Sequence, residues 1–152
     1  MYSHLNKENN MNTHTALPPQ IEAWARDVIS QDVDKIMSHY ADEIRAFDAV
    51  GELEFKGRDN YRAHWQRCLA HCTMTKFEID RVKMEVSGDL AVCSFLNHCG
   101  GKDENGNEGS SWMRATQIYK NTGGGWRIIH EHFSLPMSME TCQLQMDLVP
   151  QD

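Results

Sequence analysis

Apolar positions recur at helical spacing in the first half of the chain and alternate in the second. Behind Pro18-Pro19, Ile21, Trp24, Ala25, Val28 and Ile29 fall three and four apart on one face. That spacing predicts a helix to about Ser30, with the prolines in a first turn whose amides have no intrahelical partner. Asp32 suits the N-cap of a second, short helix with Val33, Ile36, Met37 and Tyr40 on its inner face. The period then changes. Residues 43–50, EIRAFDAV, read as a strand, and GELEFKG after them carries turn glycines at both ends. A third helix follows Gly57, with Tyr61, Trp65, Cys68 and Leu69 sharing a face. Four extended stretches come next, over 75–86, 91–100, 110–120 and 126–135. Their breaks, Ser87-Gly88-Asp89, 101–109 and 121–125, have hairpin chemistry.

Helices first and strands afterwards is an α+β pattern, with the helices on one face of a curved antiparallel sheet. Residues 1–17 are polar and unpatterned, so a disordered tail is expected there, then one domain over 18–136. Residues 137–152 are a weakly patterned extension, either a terminal strand or a disordered end. The 152 residues, 40% apolar and 24% charged, suit one globular domain and exclude collagenous or wholly disordered classes. Fifteen Lys plus Arg against 22 Asp plus Glu, a net charge of −7 with no dense basic block, argue against nucleic acid and anionic membranes as partners. No apolar run is long enough to span a bilayer and the N-terminus lacks a signal-like stretch, so a cytoplasmic protein is expected. Five cysteines without a C-x-x-C pair read as reduced thiols.

This order of elements, with HYADEIRAFDAVGELEFKG, GDLAVCSF and the closing GGGWRIIHEHFSLP, resembles the nuclear transport factor 2-like superfamily over about 20–136. Within it the likeness is strongest to SnoaL-like and ketosteroid-isomerase-like proteins. The last motif also resembles the association domain of calcium/calmodulin-dependent kinase. The resemblance implies a cone-shaped sheet with the helices on its concave face, enclosing a pocket. It implies that Ile129, Glu131 and Phe133 of the last strand, and Met113, Ala115 and Gln117 of the one before, point into the cone. His130 and His132, with Trp126 and Ile128, would then face the convex side, where such proteins pair as homodimers. A one-residue bulge would reverse that parity.

By the same resemblance Asp48 occupies the place of the isomerases' proton-shuttling carboxylate, although capping or bracing the turn before Gly51 is the more ordinary role for an Asp there. The tyrosine expected on the first helix corresponds to Trp24, and the carboxylic acid expected on the penultimate strand to Ala115. The usual oxyanion donors are therefore altered. Tyr40, Tyr61 and Trp65 fall at or near pocket positions on the helices. Tyr40, Trp24 or Gln117 are candidate polarising donors for a base at Asp48. Trp24, Tyr61, Trp65, Gln117, Glu131 and Phe133 form a candidate wall for a small ligand with a polar head and an apolar body, while aromatics at helical spacing also serve simply as core. An inward Glu131 between Ile129 and Phe133 needs a partner or a proton.

His130 and His132 stand about 6–7 Å apart by strand geometry, which suits a metal only if a third ligand such as His98 or His64 converges. Structural or interface histidines are the reading favoured. Cys68, His71 and Cys72 cannot close a tetrahedron on one helix. A Cys nucleophile beside His64 competes with plain core packing. The acidic run Asp103, Glu104, Glu108 lacks calcium-loop spacing. No nucleotide-binding glycine motif is present, so cofactor independence is expected. Two functions remain. One is small-molecule binding, with acid–base catalysis of an isomerase, cyclase or hydratase type through Asp48. The other is a non-catalytic oligomerisation or binding module working through the outer sheet face. A cleft exposing Asp48 and Glu131 favours the first, and a cone plugged by Trp24, Tyr61, Trp65 and Phe133 favours the second.

Overall fold

Helix α1 (Pro19–Ser30) buries Ile21, Trp24, Ala25 and Val28, the stripe its spacing demands. A computed structural model describes residues 17–152, so the tail expected over 1–17 lies, except for Leu17, outside the described residues. Leu17 already packs into the core. The left-handed Gln31 closes α1, and its side-chain Oε1 accepts the Met74 amide at 3.1 Å, fastening the helix end to the sheet. Helix α2 (Val33–Met37) is capped by Asp32, which accepts from the amides of Asp34 and Lys35 at 3.0 and 3.3 Å. Tyr40 is not on this helix. It opens strand β1 (Tyr40–Phe47), which starts and ends three residues ahead of the strand expected, so that Asp48 falls just past its end.

Strand β2 (Phe55–Lys56) pairs with β1, and Gly57, at φ +84°, turns the chain into α3 (Arg58–His71). The side chains that α3 buries are Tyr61 and His64, while Trp65, Cys68 and Leu69 are half-buried. The inner face is thus rotated toward His64, which an apolar pattern passes over. Strands β3 (Thr73–Ser87), β4 (Leu90–Lys102), β5 (Glu108–Asn121) and β6 (Trp126–Ser134) make the expected antiparallel meander. The sheet order is β2-β1-β6-β5-β4-β3, and its β1–β6 pairing is parallel, so the sheet is mixed. A parallel neighbour requires a long crossover, here everything between β1 and β6.

The parity of β6 holds at one end only. Ile118 pairs with His130 but Tyr119 with Ile128, leaving Ile129 as the extra residue of a bulge. Glu131 and Phe133 therefore point inward as expected, whereas Ile128, expected outside, is fully buried and replaces Ile129. On β5, Ala115, Gln117 and Tyr119 are buried and Met113 is half-buried. His130 and His132 lie against Phe47 at ring distances of 4.9 and 5.4 Å, and His130 Nδ1 contacts the Arg45 carbonyl at 2.7 Å. The extension turns back on itself through a Met137–Leu144 bridge and leaves Met139 95% exposed. Among the described residues no helix is long and apolar enough to cross a membrane.

Candidate functional site

Glu131 is the hub of the interior. It has no exposure, and its carboxylate accepts from the Tyr40 hydroxyl at 3.0 Å to each oxygen, from Gln117 Nε2 at 2.7 Å and from the Tyr61 hydroxyl. Each donor has its own support. Trp24 Nε1 donates to the Tyr40 oxygen at 2.9 Å, and the Tyr119 hydroxyl donates to Gln117 Oε1 at 2.7 Å. Burial raises the Glu131 carboxyl to about 7, although the Tyr61, Gln117 and Tyr40 donors pull the other way and the Asp48 charge adds to the rise. Burial, then the Glu131 charge, holds the Tyr40 and Tyr61 hydroxyls far above their ordinary range, so they stay protonated and donating.

The structure thus brings together Trp24, Tyr40, Tyr61, Gln117 and Glu131 in one network and adds Tyr119, which sequence reasoning missed. The signal was there: on a strand Tyr119 shares the face of Gln117. Phe133 stacks on Trp24 with ring centres 6.3 Å apart, and both are sealed from solvent. Trp65 meets Tyr61 edge-on at 6.3 Å, and its buried indole N–H finds no acceptor among the described residues.

Asp48 stands in a second cluster. Its Oδ1 accepts the Ala49 amide at 2.6 Å, and its Oδ2 contacts His64 Nε2 at 2.6 Å. Its side chain keeps 20% exposure against 5% for His64. Burial works to lower the His64 imidazole, but the Asp48 carboxylate and the Cys68 sulfur outweigh it and raise the ring to about 9. The His64 ring facing Asp48 is therefore an imidazolium at neutral pH. Phe55 stacks on the ring at 4.1 Å and fixes its plane. The Asp48 charge also contributes to raising Glu131, Tyr61 and Cys99, after the larger effect of burial. The two acids thus differ in access: Asp48 meets solvent and Glu131 does not.

Among the described residues no three His, Cys, Asp or Glu side chains come together as a metal-ligating group. His98, considered above as a third ligand, stacks on Trp112 at 4.8 Å and meets Ser110 Oγ at 2.9 Å. A cleft of about 480 Å³ at the start of α3 is lined by Asp42, Lys56, Gly57, Arg58, Asp59, Asn60 and Arg62. Its guanidiniums are already engaged, Arg58 with Asp42 at 3.4 Å and Arg62 with Asp34 at 2.5 Å.

A curved sheet holding helices and a polar cluster in its hollow defines an NTF2-like α+β protein. The chain belongs to the SnoaL-like domain family, whose model matches residues 20–138. It is 43% identical to an NTF2-like protein of unknown function from Pseudomonas putida KT2440, over 86% of this chain and 92% of that one, with a TM-score of 0.77. A Xanthomonas campestris protein provisionally assigned as a calcium/calmodulin-dependent protein kinase II association domain is 21% identical over 74% of this chain and 80% of its own, with a TM-score of 0.67. A ketosteroid isomerase-like protein from Erwinia carotovora atroseptica SCRI1043 is 15% identical over 76% and 89%, with a TM-score of 0.65. At those identities the last two show the fold alone. No curated protein matches the sequence.

Proposed function

We propose that this SnoaL-like protein binds a small, partly apolar molecule beside Asp48 and performs acid–base chemistry on it of an isomerase, cyclase or hydratase type. The observation that carries this reading is the Asp48–His64 pair. A carboxylate reachable from solvent is held 2.6 Å from an imidazole that keeps its proton to about pH 9. Asp48 would take a proton from carbon or water. His64 would orient it and supply a proton to the oxygen that gains charge, a task suited to a protonated ring in a water-poor site. Tyr40 and Gln117 act at one remove, because they are committed to Glu131, and Trp24 is committed to Tyr40. That acid in turn sets part of the field at Asp48. The Erwinia neighbour, described as ketosteroid isomerase-like, is consistent with carbon-acid chemistry in this fold.

The test is native mass spectrometry of protein taken straight from cells, followed by NMR of deuterium uptake into a panel of enolisable ketones. A bound molecule, or uptake that falls about 100-fold or more in Asp48→Asn, is expected. Absence of both would end the proposal.

A second reading, homodimeric assembly through the outer sheet face without catalysis, is favoured by the plugged interior and by what that face presents. Leu90 and Val92 of β4 are 42% and 46% exposed, and Val92, Ile118 and His130 form one cross-strand row. Light scattering on wild type and Val92→Glu separates the two readings: a dimer that the substitution splits, with no ligand and no exchange, supports assembly.

A further inference from the structure

The Asp48–His64 pair has a neighbour that the acid–base reading leaves idle. Cys68, one helical turn beyond His64 on α3, places Sγ 3.7 Å from Nε2 and 4.0 Å from Nδ1. Nε2 is committed to Asp48. Nδ1 has the sulfur as its hydrogen-bonding neighbour among the described residues, so the protonated ring sets an N–H and a positive charge beside the thiol. Gly51 keeps that edge of the ring uncovered, since a Cβ there would sit 3.3 Å from Cε1 and 3.5 Å from Nδ1. Cys68 is half-buried where His64 is sealed, so an incoming molecule meets sulfur before ring.

The other thiols lack this arrangement. Burial pushes Cys93 and Cys99 up to about 11. Cys72 points its sulfur at the Thr73 carbonyl, 3.9 Å away, and Cys142 is exposed on the terminal extension.

We propose that Cys68, His64 and Asp48 form a thiol–imidazole–carboxylate site that captures carbonyl-conjugated alkenes as thioethers. Such an electrophile needs a soft nucleophile and one proton, both of which the site holds, and no leaving group has to be expelled. The thiol releases its proton to solvent beside the positively charged His64 ring, and the sulfur pair forms a bond to the β-carbon. The alkene π pair moves toward the carbonyl to give an enolate, the Nδ1 proton of the imidazolium goes to the α-carbon, and the ring takes back from solvent the proton that the thiol released. Hydrogen and sulfur are thereby added across the double bond, with nothing oxidised or reduced. Asp48 holds the imidazolium through the step.

The site shares two residues with the proposed acid–base function but does not require it, because an adduct is read as mass on sulfur without turnover. The experiment treats the full chain at neutral pH with sub-stoichiometric N-ethylmaleimide and maps labelled peptides over time. Exposed Cys142 serves as the internal reference. Cys68 is expected to react at least about tenfold faster than Cys142, and His64→Gln or Asp48→Asn to bring the two rates close together. Wild-type labelling of Cys68 no faster than Cys142 overturns the proposal outright. So does an unchanged rate ratio in either variant that melts as cooperatively as wild type. Since deuterium uptake at Asp48 needs no sulfur, failure of one reading leaves a different trace from failure of the other.

Discussion

Replacing Glu131 by Gln tests the interior network through its proton. The carboxyl has an ordinary value of 4.5 and is raised to about 7 in the folded chain, chiefly by burial. Below about pH 4.5 both states hold the proton, and stability does not change with pH on its account. Between there and about 7 the unfolded chain ionises while the folded chain stays protonated, so raising the pH favours unfolding. At about 1.4 kcal/mol per unit the whole swing is about 3 kcal/mol, of which about 2 falls between pH 5 and pH 7.5.

The amide introduced by Glu131→Gln cannot ionise, yet its oxygen can accept from Gln117 and its nitrogen can donate to tyrosine oxygens. The variant should therefore fold and lose only the pH slope. Urea melts at both pH values are the assay, and with an m-value of about 2 kcal/mol/M the wild-type midpoint drops by about 1 M more than the variant's. Parallel behaviour of wild type and Glu131→Gln across this range would refute the reasoning. Glu131→Leu is the harsh counterpart. It strands three buried donors, from Tyr40, Tyr61 and Gln117, at about 1–3 kcal/mol each, and should leave little folded protein.

His64 gives a second pH window with the same sign. Its folded value is raised to about 9 from 6.5, so its stabilisation is complete below about pH 6.5 and fades toward pH 9. His64→Gln should flatten urea stability in that upper range alone, and an unaltered slope would disprove the pairing with Asp48. Gly51→Ala should lower stability by about 1–3 kcal/mol in thermal melts. Its φ is +87°, and the added carbon would stand 3.2 Å from Phe55 Cζ. A melting temperature equal to wild type would show that the turn has room after all.

The hydrophobic period made the helices and the meander legible, because burying one face of a helix or a sheet leaves a mark in every second or third residue. Asp32 revealed its capping role for the same local reason. What escaped depends on pairing across the chain. The parallel contact of β1 with β6 joins segments far apart in sequence, Tyr40 with Ile128 among them, and no local pattern announces it. The bulge at Ile129 exchanges the sides of Ile128 and Ile129 without altering composition. In the site, Asp48 and Glu131 were visible as acids in apolar company. Their separate fates, one paired with His64 at a reachable edge and one sealed among tyrosines, follow from side-chain packing. The rotation of α3 that buries His64 in place of Trp65 belongs to that packing as well.

Strand β6 is the last to be written and lies near the middle of the sheet. A ribosome must therefore finish almost the whole domain before β1 and β5 can be joined. Until that insertion, two long strand edges stand open and Tyr40, Tyr61 and Gln117 face an unfilled centre. Glu131 arrives with the closing strand as its keystone. The architecture therefore completes in one late, cooperative event, and a nascent chain stopped short of Ser134 would present sticky borders instead of a smaller version of the fold.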